Sequence, residues 1–253
     1  MPRYLLTIEY DGGPFVGWQK QENGLSVQTV MERAASALEE GYHEVYGAGR
    51  TDSGVHALAM TAHVDFEKNW PEDVVRDALN HHLRMHPVSV LSARRVRDDV
   101  HARFSAVKRG YVYRLIDRRA PLTLDAGKAW QVRVPLDAQA MNIAAQCLVG
   151  KHDFTTFRDA NCQADSPVKS IDAISVERRG SEIVLSVEAI SFLHRQIRSI
   201  TGSLVEVGRG RWSVEDFRDA LAAADRTRCG PVAPPDGLYL AFVDYPPAVL
   251  ESP

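Results

Sequence analysis

Apolar and polar positions change their period along the chain, and those changes mark out its elements. Arg3–Tyr10 alternates as a half-buried strand does, and Asp11-Gly12-Gly13 closes it with a turn. Val27, Val30, Ala34 and Leu38 recur at helical spacing behind Ser26, a suitable N-cap, and Gly41 follows, which predicts a helix over residues 26–40. Strands are expected over residues 42–48 and 60–66, with residues 49–54 as a loop between them. A helix opened by Pro71 runs to Leu83, and strands follow over Val88–Val96 and residues 106–116. In the second part, helices are expected over residues 136–148, 194–207 (broken somewhat by Gly202) and 214–224. A hairpin joins residues 170–178 to Glu182–Ala189 around Arg179-Gly180-Ser181, and residues 237–245 form a closing strand. Hairpins set beside helices point to an α+β protein with a mixed or antiparallel sheet and helices packed on it. The similar order of elements suggests two related α/β halves, residues 1–104 and 105–253.

Composition narrows the class. At 253 residues and 45% apolar the chain can bury a sizeable core, and 25% charged residues are ordinary for a globular protein. No stretch approaches the roughly 20 apolar residues of a membrane span. The N-terminus, MPRYLLTIEYDGG, lacks signal-peptide anatomy, so a cytoplasmic protein is expected. Cys147, Cys162 and Cys229 are odd in number and widely spaced, which argues against a disulfide scaffold and a thiolate zinc site. His63, His81, His82 and His86 show no metal-ligand spacing, and no phosphate-cradling Gly-x-x-x-x-Gly-Lys loop or Gly-x-Ser-x-Gly elbow is present. The net charge of −3 is not that of a typical nucleic-acid binder, yet nine bases against three acids between Arg94 and Arg119 give a local balance of +6. Such a segment suits phosphate binding; it equally suits a solvated, salt-bridged surface.

The stretch richest in chemical possibilities is Gly47-Ala48-Gly49-Arg50-Thr51-Asp52-Ser53-Gly54-Val55-His56-Ala57. Glycines permit tight turns and close approach of a ligand, and a carboxylate among them can act as nucleophile or base. The same residues also suit a capped turn in which Asp52 bonds nearby amides.

Gly49-Arg50-Thr51-Asp52-Ser53-Gly54-Val55-His56-Ala57 resembles the signature of the tRNA pseudouridine synthase A family. Further segments resemble that family in order: Tyr10-Asp11-Gly12-Gly13 with Phe15 to Gln19, Ser26-Val27-Gln28, His101 to Ala106, Tyr111 to Arg114, His152 to Arg158, Phe192 to Leu204, and Gly237 to Tyr245. The resemblance implies a pseudouridine synthase fold with an active-site cleft between its halves. It implies an isomerase that turns uridine into pseudouridine at positions 38 to 40 of the tRNA anticodon stem-loop, without cofactor or metal, as a homodimer. Asp52 would attack uracil C6 or ribose C1′, the glycosidic bond would break, and C5 would rejoin the sugar. Burial alone raises a carboxylate's pKa, and a nearby cation offsets this; by resemblance Arg198 pairs with Asp52 to supply it. Also by resemblance, Tyr111 stacks on the uracil and Arg50 helps extrude the target base, which is unreachable inside a stacked stem. Val100, His101, Ala102, Arg103 and Phe104, and Asn161, Cys162, Gln163, Ala164 and Asp165, correspond to RNA-contacting segments. Two positions depart from the family pattern: Met60 where glutamine is common and Gln196 where methionine is common. They bear on substrate range more than on Asp52, Tyr111 or Arg198, and Ser53 in place of the commoner alanine is a conservative change. The rival expectations are a non-catalytic RNA-binding protein on the same fold and a pseudouridine synthase acting on another RNA.

Overall fold

A computed structural model describes residues 1–250. The chain parts into two compact units, one of Met1–Arg109 with the chain from Tyr239 onward, the other of Gly110–Leu238. A single division near Phe104 would put the last strand in the second half; from Tyr239 onward it groups with the first, where Tyr239 and Leu240 pair with His56 and Ala57.

In the first unit, β1 (Arg3–Tyr10) is paired antiparallel on both sides, with β3 (His56–Asp65) and with β4 (Val88–Val96). The last strand, β11 (Leu238–Asp244), runs parallel to β3, with Tyr239 opposite His56 and Leu240 opposite Ala57. The sheet is therefore mixed. On β1 the alternate residues Tyr4, Leu6, Ile8 and Tyr10 are all buried, as a core-facing set should be. Helix α1 (Val27–Leu38) and helix α2 (Glu72–Leu83) pack beside each other and add Val30, Met31, Ala34, Val75, Leu79 and Leu83 to that core. Ser26 caps α1 by accepting the Thr29 N–H at 3.1 Å.

Two expectations here need revision. The strand foreseen over residues 42–48 shrinks to β2 (Tyr46–Gly47). His43 turns inward, bonding Asp65 O at 2.8 Å and Glu39 O at 3.1 Å, and Gln28 takes the Val45 carbonyl at 3.2 Å, so side chains use what a ladder would need. Conversely, β3 starts at His56 rather than Met60; its small residues gave no strand pattern, but Ala57 pairs with Tyr10 and with Leu240.

In the second unit, β5 (Lys108–Ile116), whose first two residues lie in the first unit, is flanked by the short parallel β6 (Trp130–Gln131). Helix α3 (Ala138–Ala145), capped by Asp137, leads into a two-stranded sheet of β7 (Gly150–Asp153) and β8 (Val168–Ile171). β9 (Ala173–Arg179) and β10 (Glu182–Ala189) form the expected hairpin. The strand expected over 170–178 is broken at Asp172, whose N–H goes to Glu188 O at 2.8 Å, so its two parts join different sheets. Helices α4 (Gln196–Gly208) and α5 (Val214–Ala222) complete the unit. α4 is not broken at Gly202; that residue admits the 231–233 segment, since a Cβ there would lie 1.6 Å from Pro231 O.

Candidate active site

In the first unit, the loop carrying Asp52 is fixed by its neighbours. Gly47, before it, lies against Trp18, where a Cβ would come within 2.5 Å of the indole. Thr51 is buried, its hydroxyl 2.8 Å from Tyr10 Oη and its carbonyl accepting the Trp18 N–H at 3.1 Å. Gly17, at φ 114°, forms an isolated bridge with Asp52 and approaches Thr51 O as no side chain would allow. The Val55 N–H returns to the Asp52 carbonyl at 3.1 Å, and Ser53 donates to Phe15 O at 3.2 Å. Gly12 N–H donates to His56 Nδ1 at 3.0 Å, and the His56 ring stacks on Tyr239 at 4.7 Å. Asp52 is half-buried, and Arg50, two residues earlier, is exposed. A fixed backbone presenting a half-buried carboxylate suits a nucleophile, because its position need not be organised at the moment of reaction.

A residue whose role sequence reasoning missed stands behind this loop. Arg109 counts among the nine bases, yet it is buried. Its Nε and Nη2 donate to Ala48 O at 3.1 and 2.8 Å, and Nη2 also donates to Arg103 O at 2.7 Å. It thereby joins the start of the Asp52 loop to the 100–104 segment. Nothing in an alternating strand distinguishes such an arginine from a surface one; only burial does. In that segment Val100 and Ala102 are interior, whereas His101 is half-buried and Arg103 and Phe104 are exposed. Arg103 lies 5.5 Å from the centre of the Phe104 ring, a cation–π distance. The Ala102 N–H donates to His63 Nδ1 at 3.1 Å, and Ala102 O accepts the Tyr245 hydroxyl at 2.5 Å.

The second unit carries the other candidates. Tyr111, on β5, is half-buried with Phe192 edge-on at 5.3 Å. Two residues on, Tyr113 is fully buried and donates to Pro234 O at 2.6 Å; burial pushes its phenol pKa up, against the lowering effect of Arg198. Arg198 sits in the first turn of α4, half-buried, with Nε donating to Ala233 O at 2.8 Å while Ala233 N–H returns to Arg198 O at 3.0 Å. That reciprocal pair aims the guanidinium. In the 161–165 segment Asn161, Gln163 and Asp165 are exposed and Ala164 is half-buried. Cys162 is buried, its carbonyl accepting Arg158 Nη2 at 2.9 Å.

The three cysteines are free, and among the described residues no group of three or more His, Cys, Asp or Glu side chains could hold a metal ion. No helix among them is long and apolar enough to cross a membrane.

A family model described as tRNA pseudouridine synthase matches residues 6–105 and 144–246, which include the Asp52 loop and Arg198 but not Tyr111. A tRNA pseudouridine synthase A of Maricaulis maris is 66% identical over 97% of this chain and 99% of its own length. Proteins of the same name from Afipia carboxidovorans (59% identical; 97% of this chain, 100% of its own) and Azorhizobium caulinodans (56% identical; 100% and 98%) are also similar. Among solved structures, a chain of a Cbf5–Nop10–Gar1 complex aligns at 12% identity over 80% of this chain and 45% of its own, with a TM-score of 0.34 that is too low to carry weight.

Proposed function

The chain belongs to the tRNA pseudouridine synthase family, and from that premise we propose that it isomerises uridine to pseudouridine at positions 38 to 40 of the tRNA anticodon stem-loop, with Asp52 as nucleophile. The observation that carries this reading is the Asp52 loop: a half-buried carboxylate on a backbone pinned by Gly17, Trp18, Tyr10 and Phe15, inside the family-matched region. The Asp52 carboxylate adds to uracil C6 or ribose C1′, and the bond between C1′ and N1 breaks. The base turns, C5 bonds to C1′, the bond to Asp52 breaks and returns the free carboxylate, the C5 proton leaves and N1 is protonated. Atoms balance with no oxidant and no cofactor, since the uracil itself holds the electron pair of the broken bond.

Arg198 supplies the cation that offsets desolvation of the nucleophile. Tyr111 stacks on the base and assists loss of the C5 proton, and Arg50 takes the place of the extruded base. His101, Arg103 and Phe104, with Asn161, Gln163 and Asp165, offer side chains to the RNA; Val100, Ala102 and Cys162, being interior, shape its contacts through the backbone. The enzyme works as a homodimer in the cytoplasm.

Tritium release from C5-labelled uridine in an unmodified tRNA transcript, without added metal or nucleotide, tests this. Wild type should release tritium, and Asp52→Asn should release none while binding the tRNA normally, because phosphate contacts remain. Full turnover by Asp52→Asn would refute the nucleophile assignment. Tight tRNA binding without release by wild type would favour a non-catalytic binder or another target RNA.

A further inference from the structure

We propose that Asp159 is a positioning residue for Arg198: it holds the left-handed turn that launches α4 and ties that turn to the 161–165 loop. The inference rests on the reading that Arg198 and that loop serve the uridine reaction.

Arg195 immediately precedes α4 and has φ 56° and ψ 11°. A β-carbon is disfavoured in this region, and arginine lacks the freedom of glycine there. The turn nevertheless decides where α4 begins. Gln196 N–H bonds Leu193 O at 3.1 Å, and Gln196 Oε1 accepts the Leu193 N–H at 2.8 Å, which places Arg198 in the first helical turn. What Arg195 offers in place of glycine's freedom is its guanidinium, which donates to Asp159 Oδ2 at 3.0 Å.

Asp159 is well placed to hold this turn. It is only 6% exposed, its N–H donates to His194 O at 3.1 Å, and His194 Nδ1 lies 3.6 Å from Oδ1. The same carboxylate accepts the Asn161 N–H at 2.9 Å, and the Asp159 carbonyl accepts the Cys162 N–H at 3.1 Å. One buried acid therefore anchors both the residues before α4 and the start of the exposed loop. Burial opposes its ionisation, but the Asn161 amide, Arg195 and His194 outweigh burial and hold its carboxyl below the usual range. A buried carboxylate with this many partners resists displacement, because freeing any of them leaves a polar group unsatisfied.

Asp159→Asn keeps the size and the acceptor for Asn161 but removes the charge. Its kcat should fall about tenfold while KM and the tRNA Kd stay within about twofold, since an interaction realised in the transition state is lost and ground-state binding is not. Adding Arg195→Gly should restore kcat to within about threefold of wild type, because glycine takes the left-handed conformation without the ion pair. A merely structural role would lower the melting temperature and the active fraction together and would not be rescued by a second deletion of contacts. Hydrogen–deuterium exchange over residues 193–199 of the free protein reads the turn whatever the RNA: faster in Asp159→Asn, slowed again in the double variant. Wild-type kcat or unchanged exchange in Asp159→Asn, or no recovery in the double variant, would overturn the proposal. A wild type that releases no tritium while the exchange pattern holds would count against the parent reading alone.

Discussion

His63 shows how one buried side chain can make the backbone of the 100–104 segment sensitive to acid. Its Nδ1 accepts the Ala102 N–H, and its ring stacks on Tyr46 at 5.0 Å and meets His101 edge-on at 4.6 Å. Burial, then the nearby Arg3 and His101, push its pKa down to about 4. In the unfolded chain a histidine titrates near 6.5. Between those values the unfolded state binds more protons, so stability falls as pH drops from about 6.5 to about 4, by at most about 1.4 kcal/mol per pH unit. Protonation would also remove the acceptor that holds Ala102. His63→Gln stays neutral and can still accept that N–H. Thermal melts across pH 4 to 7 should therefore show a shallower acid slope for this variant; an unchanged slope would place the sensitivity elsewhere.

Among the elements, α4 is buried at every residue but Arg198. Its buried face runs through Ile197, Ile200, Leu204 and Val205, and the 230–233 segment crosses it at Gly202. Gly202→Ala would force Pro231 away, and Ala233, the acceptor for Arg198 Nε, with it. Overpacking of this kind costs about 1–3 kcal/mol. The variant should lose that much in urea unfolding and lose turnover by more than its unfolded fraction explains. A wild-type urea midpoint would show that the segment yields freely. A glycine in a helix reads as a weak point in the sequence, whereas here it is the site of closest packing.

At the scale of the whole molecule, charge distribution replaces net charge as the useful quantity. Arg114 is engaged by Glu182 at 2.5 Å and Asp125 at 3.0 Å, Arg97 pairs with Asp99, and Arg109 is buried. The +6 segment is thus partly engaged by the protein itself, in line with the salt-bridged alternative for Arg97 and Arg114. Arg103, exposed beside a 74% exposed Phe104, is better placed to meet phosphate. Each phosphate contact contributes about one to the slope of log K against log salt. Arg103→Ala should lower that slope for tRNA binding by about one, and Arg114→Ala should leave it unchanged. Equal effects from the two would indicate a diffuse field rather than a contact.

The sequence by itself determined the α+β class, the strands at Arg3–Tyr10 and Val88–Val96, the helix behind Ser26, and the family, because period, caps and ordered motifs are local properties of the chain. It also singled out Asp52, Tyr111 and Arg198. Only the tertiary structure decided that β11 returns to pair with β3, that Val100, Ala102 and Cys162 face inward, and that Arg109 and Asp159 anchor loops. Each of those depends on partners up to 183 positions away, as Tyr239 is from His56. A local pattern reports how a residue relates to its own helix or strand; burial and hydrogen-bond partners are fixed by residues distant in the chain.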